Sequence, residues 1–180
     1  MKKILVACSV LLIAFTGSAF AGRYDNYLSL RLGYVSGTVN DYDGTLTGIG
    51  GTFAFGQNYR AQDWLQFRAE FEAAYQTQSH DDITLQPMGA MINFYADFGP
   101  RSWLILPYVG AGFGVKYISV TNSVADVDSS TGIAWNAQGG VTFDFTEELK
   151  LDIGVRYEAI TPPDFTLKNF GASAGARWYF

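Results

Sequence analysis

Leu149, Leu151, Ile153, Val155 and Tyr157 take every second position of one short stretch, and Lys150, Asp152, Gly154, Arg156 and Glu158 take the positions between them. A period of two marks an extended strand, whose successive side chains leave opposite faces. The pattern recurs. Leu65, Phe67, Ala69, Phe71 and Tyr75 stand against Gln66, Arg68, Glu70, Glu72 and Gln76, and Phe170, Ala172, Ala174, Ala176, Trp178 and Phe180 against Asn169, Ser173, Gly175 and Arg177. No segment after Ala21 carries a helical period of useful length. Eight alternating stretches are expected, near 27–36, 46–56, 64–77, 83–97, 107–120, 131–145, 148–161 and 167–180, each closed by Gly, Pro, Asn, Asp or Ser. The chain therefore reads as a single all-β domain of antiparallel, up-and-down strands, with no linker and no fixed-period repeat.

Alternation also suits a soluble sandwich, so the chemistry of the two faces must decide. A soluble sheet would bury the apolar face and wet the charged one. Aromatic residues gather near strand ends on the apolar face: Phe143, Phe145, Trp178 and Phe180 at one end, Tyr34, Tyr75, Tyr117 and Tyr157 at the other. From Leu149 to Tyr157 a strand tilted by ~40° climbs roughly 20 Å, close to the height of an apolar band in a membrane barrel. Hydrocarbon cannot satisfy an open sheet edge, so such a sheet must close on itself. The expected architecture is a membrane-spanning β-barrel with its apolar face to lipid and a polar, packed lumen.

The N-terminus supplies the route. Lys2 and Lys3 precede an apolar run from Ile4 to Phe15, and Ala19-Phe20-Ala21 gives the small-x-small site of a secretion signal. That run is too short for a spanning helix, which needs roughly 20 residues. Residues 1–21 are expected to be a cleaved signal peptide and residues 22–180 the barrel of an outer membrane. Leu5-Val6-Ala7-Cys8 has the form of a lipoprotein box, but only four apolar residues would precede the cysteine, too few for export. Cleavage removes the only cysteine, and with it any disulfide or thiolate metal site. It also leaves 10 basic against 17 acidic residues, a charge of −7 that disfavours nucleic acid as a partner.

Eight strands enclose a space just wide enough for side chains, which rules out a wide diffusion pore. The inward positions carry Arg31, Arg68, Lys116, Lys150, Arg156 and Arg177 against Glu70, Glu72, Asp144, Asp152 and Glu158. Six positive and five negative charges come close to the balance a buried ion-pair plug requires. Arg68, Arg156 and Arg177 are expected to pair with Glu70, Glu72, Asp152 or Glu158, with Lys116 a further member. Inward Gly110, Gly112, Gly114, Gly154 and Gly175 would make room for the large side chains opposite. An even strand number puts both termini and the turns 57–63, 98–106 and 146–147 on the periplasmic side. The outer loops, near 37–45, 78–82, 121–130 and 162–166, carry Asp41, Asp43, Asp81, Asp82, Asp126, Asp128 and Asp164 and no Lys or Arg.

Two motifs carry a family resemblance. Gly175-Ala176-Arg177-Trp178-Tyr179-Phe180 fits the C-terminal signal of outer-membrane barrels: glycine, two residues of any kind, a hydrophobe, any residue, a terminal aromatic. A polar residue usually precedes that glycine, where this chain has Ala174. Pro107-Tyr108-Val109-Gly110-Ala111-Gly112-Phe113-Gly114 resembles the PYxGxGxG segment of the small eight-stranded outer-membrane barrels, which include the outer membrane protein A transmembrane domain and the opacity-type, porin-like proteins of Gram-negative envelopes. The resemblance implies a lumen without a wide pore and no cofactor. It makes Gly175, Trp178 and Phe180 the signal read by the assembly machinery. It says little about activity, since that superfamily hosts anchors, adhesins and a few enzymes.

His80, in Ser79-His80-Asp81-Asp82, is the single histidine. A lipid-A-modifying enzyme, acyl hydrolase or transferase, would use such a base with a serine, but adjacent residues at a strand end point apart and no spaced His-x-Ser pair is present. Asn40-Asp41-Tyr42-Asp43-Gly44 opens like a calcium loop, yet its glycine comes too early and no closing glutamate follows. No catalytic, cofactor or metal residue is assigned. The expected protein is a non-enzymatic monomer with a structural or surface-interaction role through short acidic outer loops. Its expected partners are outer-membrane lipid, lipopolysaccharide and, during insertion, the assembly machinery.

Overall fold

A computed structural model of the chain describes residues 24–40, 44–81, 83–100, 102–122 and 125–180; the side chains at 24–25, 122 and 125–128 lie outside the description. The expected leader, its cleavage after Ala21, and the outer-loop residues Asp41, Asp43 and Asp82 lie outside the described residues, as do the side chains of Asp126 and Asp128.

Eight strands follow one another: β1 (Tyr24–Val39), β2 (Thr45–Gln62), β3 (Leu65–His80), β4 (Ile83–Phe98), β5 (Ile105–Asn122), β6 (Ala125–Asp144), β7 (Leu149–Thr161) and β8 (Leu167–Tyr179). Each pairs antiparallel with its neighbours in sequence, and β1 pairs with β8, so the sheet closes as a barrel. The closing seam runs from Tyr27 opposite Tyr179 to Val39 opposite Leu167. No edge strand is left to be satisfied.

The strands outrun the sequence expectation at both ends. The expected turn at 57–63 shrinks because β2 continues to Gln62, past an irregularity between Arg60 and Gln62, and the expected loop at 121–130 is largely β6. Gly, Ser, Thr and Asp punctuate a free chain, but a closed ladder supplies each of them with backbone partners and carries the strand through. At the hairpin between β3 and β4 local geometry asserts itself: Asp81 turns the chain at a φ of 49°, a left-handed conformation that Asp tolerates.

Along most of each strand the face assignment is inverted relative to a soluble protein. Leu32, Ile153, Phe170, Trp178 and Phe180 lie on the outer surface, while Arg68, Glu70, Lys116, Glu158 and Arg177 are buried inside. Toward the hairpin end the pattern reverses. After Tyr34 the next outward residue is Ser36; in the same sense Ile49 gives way to Thr47, Tyr75 to Thr77, Met88 to Gln86, Tyr117 to Ser119, Ile133 to Thr131 and Phe170 to Lys168. Inside, at those same strand ends, Leu46, Leu85, Ile118, Ile160 and Leu167 form an apolar cluster with Met91 and Ala134, edged by Val39, Ile83, Val120 and Phe165. The lumen is thus polar through its middle and capped by hydrocarbon at the hairpin end.

Candidate functional site

The charged interior is the only concentrated chemistry among the described residues. Glu70, on the inward face of β3, is its hub. Its carboxylate accepts two hydrogen bonds from Arg31, at 2.9 and 2.6 Å, one from the Tyr27 hydroxyl at 2.8 Å and one from the Tyr95 hydroxyl at 2.9 Å. Arg31 also lies 3.6 Å from Glu72 and 3.9 Å from Asp152. The strands β1, β3, β4 and β7 meet here because their alternation aims these residues at one axis.

Arg68 departs from the expected pairing. It donates to Asp97, Nε to Oδ2 at 2.6 Å and Nη2 to Oδ1 at 2.8 Å, and reaches Glu70 only at 3.4 Å. Asp97 was absent from the sequence-based inward set. It lies inside with Asn93 and Tyr95, while Ile92, Phe94 and Phe98 face out. The count itself carried the signal: six cations against five anions left one cation unmatched, and Asp97 makes the numbers equal. The guanidinium of Arg68 also stacks 4.2 Å from the centroid of the Tyr95 ring, which lowers the cost of burying it.

Two more layers complete the plug. Arg156 donates to both oxygens of Glu72 at 2.8 Å, and Lys116 donates to Glu158 at 2.6 Å, with Gln76 donating to the same oxygen at 3.2 Å. Toward the end that carries the termini, Arg177 donates to Asp152 at 2.8 Å and to the Thr142 and Tyr179 hydroxyls, and Lys150 donates to Asp144 at 2.8 Å. Every predicted member of the network, Arg68, Glu70, Glu72, Lys116, Asp152, Arg156, Glu158 and Arg177, is therefore placed in the lumen. Single burial of such a charge would be prohibitive, and forked Arg–carboxylate geometry is what makes the set tolerable.

The inward glycines sit where the interior is fullest. A methyl on Gly110 would fall 2.5 Å from the Tyr95 ring, and one on Gly175 would fall 2.5 Å from the Arg31 side chain. Gly154 faces the Tyr108 hydroxyl, Gly112 the Asn93 amide and Gly114 the Met91 side chain. Gly56, which sequence reasoning passed over, faces the ring of Tyr27. A cavity of about 60 Å³ is lined by Arg156, Gln76, Gln138, Asn169 and backbone near Gly33 and Gly50.

Outside the lumen, His80 sits half-exposed at the end of β3 with Nε2 3.5 Å from the Asp81 carboxylate. The terminal motif lies on β8: Trp178 and Phe180 point outward on one row, 63% and 70% exposed, and Gly175 lies inside, opposite Arg31.

Comparison with known proteins agrees with this geometry. A protein of Brucella abortus (strain 2308), itself described as uncharacterized, is 29% identical over 179 residues, covering 78% of this chain and 62% of the relative. A second, from Brucella suis biovar 1 (strain 1330), is 30% identical over 160 residues, covering 68% of this chain and 56% of that one. The chain thus spans less than two thirds of these relatives. Among solved structures, Neisserial surface protein A superposes with a TM-score of 0.67 at 22% identity, covering 86% of this chain and 97% of that protein. The outer membrane enzyme PagL superposes with a TM-score of 0.56 at 13% identity, covering 81% and 97%. Those likenesses are of fold. Residues 7–180 match the family model of the outer membrane protein beta-barrel domain, and the closed eight-strand barrel accords with that match: the chain belongs to the outer-membrane β-barrel family.

Proposed function

We propose that this barrel is a non-enzymatic outer-membrane protein, a structural element of that membrane whose contacts are made by its short acidic hairpins on the cell surface. The observation that carries the reading is the occupied lumen. Its carboxylates are committed to guanidinium, ammonium or hydroxyl partners, and an apolar cluster caps the hairpin end. That arrangement holds a shape and offers neither a wide path nor a free general base. Chemistry available to a partner is left to the hairpins, where Asp81 and Asp164 are exposed.

The same reading includes export by a signal cleaved after Ala21, recognition of Gly175, Trp178 and Phe180 by the assembly machinery, and a monomer surrounded by lipid and lipopolysaccharide. The test compares intact protein with a hairpin-trimmed form on whole cells, using cross-linking pull-down read by mass spectrometry. Partners captured by the intact protein and lost by a trimmed barrel that still folds support the reading; the same partners with both forms overturn it. Lipid A from cells with and without the protein should have the same mass spectrum. Loss or gain of an acyl chain would replace this reading with a lipid-A-modifying enzyme.

A further inference from the structure

Between β3 and β4 the ladder breaks inside the wall. Pairing runs up from Leu65 opposite Phe98 to Tyr75 opposite Met88, stops, and resumes at Gln78 opposite Leu85 with the register unchanged. The residues left out, Gln76 and Thr77 on β3 and Gln86 and Pro87 on β4, mark a slit roughly 10 Å long at ~3.3 Å per residue. Pro87 is the cause, since it has no N–H to give. Backbone groups of an antiparallel strand turn to the same neighbour at every second residue. Gly99 N donates to Trp64 O at 2.8 Å, so the even-numbered residues of β3 turn theirs toward β4, and the carbonyl of Gln76 faces Pro87 without a donor. A proline with strands on both sides forfeits a ladder bond; here β5 holds its other side, with Pro87 opposite Ile118.

Gln76 connects this slit with the interior. Its backbone forms the β3 lip, and its side chain lines the cavity of about 60 Å³, donating to Glu158 at 3.2 Å and accepting from Asn169 at 3.0 Å. Both axial ways to that cavity are filled. Leu46, Leu85, Ile118, Ile160 and Leu167 lie toward the hairpin end, and the layer around Glu70 lies toward the termini. A water needs about 10–15 Å³ of such space, so there is room for about four to six waters or one solute of that size. Three residues of the lining carry buried oxygens without a hydrogen-bond partner: Glu158 Oε2, Asn169 Oδ1 and Thr52 Oγ1. All three can accept, so a guest that donates is favoured. Charge selects further. Arg31 and Arg156 line the same space as Glu158, and the inward set already balances, so an entering ion would stay uncompensated.

We propose that the slit at Pro87 is a side entrance through which small neutral hydrogen-bonding molecules, water foremost, enter and leave this cavity. Passage needs the strands to part only where their ladder is already unmade, between Tyr75 opposite Met88 and Gln78 opposite Leu85. Thr77 and Gln86 flank the outer opening, just past Tyr75 and Met88, where the wall turns from apolar to polar. A polar guest therefore approaches past a hydroxyl and an amide, and no layer of the ion-paired plug has to move.

The test uses the whole barrel in phosphatidylcholine vesicles with a single thiol in the cavity lining, Ser173→Cys, and Cys8→Ser to remove the native cysteine. Labelling by iodoacetamide, small and neutral, and by iodoacetate, of the same size but charged, is followed by mass spectrometry. Each rate is divided by that of the urea-unfolded chain, which cancels intrinsic reactivity. Iodoacetamide should label the folded parent, and iodoacetate should lag far behind. Pro87→Val returns the N–H, and should slow iodoacetamide roughly five- to tenfold, as one restored ladder bond implies. Pro87→Thr should do the same, which separates the ladder from side-chain packing. Asp144→Ala, at the lumen mouth, should leave the rate unchanged. The proposal is overturned by a folded parent that does not label, by equal rates for the two reagents, or by Pro87 variants that label as fast as the parent. Faster labelling in Asp144→Ala also overturns it, since the entrance would then be the mouth. Urea midpoints of both Pro87 variants should equal or exceed the parent's; lower midpoints count against the proposal, because the ladder would not have re-formed.

Discussion

Replacing Glu70 with alanine should be among the most damaging single changes in the lumen. The variant leaves Arg31 without its forked partner and strips the Tyr27 and Tyr95 hydroxyls of their acceptor. Breaking a buried ion pair from one side costs on the order of 3–5 kcal/mol, because the surviving charge stays desolvated. Each orphaned hydroxyl adds about 1–3 kcal/mol when counted alone. These do not simply sum. Arg31 already lies within 3.9 Å of Glu72 and Asp152 and can lean on them, so about 4–5 kcal/mol is the expected loss. With a urea slope of about 2 kcal/mol per molar, the midpoint in lipid vesicles should fall by roughly 2 M. Asp144→Ala supplies the internal comparison. Its pair with Lys150 lies at the lumen mouth, with side chains 20% and 11% exposed, and should cost about 1 kcal/mol, or roughly half a molar. Glu70→Gln keeps the shape and should fall between. Should Glu70→Ala unfold no earlier than Asp144→Ala, the hub is not buried as described and the energetic argument fails.

Four further outcomes follow from the same geometry. Lys116→Met should destabilise by about 3–5 kcal/mol, and adding Glu158→Leu should recover most of that, since an apolar pair replaces a desolvated one; an additive double variant in urea unfolding would show otherwise. Ile153→Arg, on the lipid face, should cost about 2–4 kcal/mol in vesicles, and a harmless arginine there would put the face on the wrong side. Trp178→Ala with Phe180→Ala should lower the amount of barrel reaching the outer membrane far more than the urea midpoint of what does arrive; normal membrane levels would show that the motif goes unread. Unheated protein should migrate apart from boiled protein in a denaturing gel, because a closed ladder unfolds as one unit; identical migration would argue against closure.

The fold was legible because one physical signal repeats on every strand. Leu149 to Tyr157 against Lys150 to Glu158 states the period, and the charge on its polar face states which side lipid must take. Strand ends were less legible. Thr45, Ser129 and Ser130 look like loop residues in isolation, and only the neighbouring strand makes them part of a ladder. Pairing inside the lumen was partly hidden for a related reason: which inward residue meets which depends on stagger between strands, a property of the closed sheet. That is why Arg68 finds Asp97, on the next strand, ahead of the carboxylates expected for it. The apolar cap escaped sequence reasoning because Leu46, Ile118 and Leu167 were counted by residue type in stretches already read as strand margins. Alternation that changes sign along one strand would have revealed it.

The seam between β1 and β8 has a kinetic meaning. Seven of the eight ladders join strands adjacent in sequence and can form as local hairpins, at small entropic cost. The eighth joins residues 27–39 to residues 167–179, nearly the whole described chain apart. Until it zips, two strand edges stand open with Leu28, Leu30 and Leu32 on one and Phe170, Trp178 and Phe180 near the other, a surface ready to pair with any stray strand. The slow and hazardous event in making this protein is therefore its last ladder, and slowing that one step should convert folding chains into aggregates without altering a single native contact.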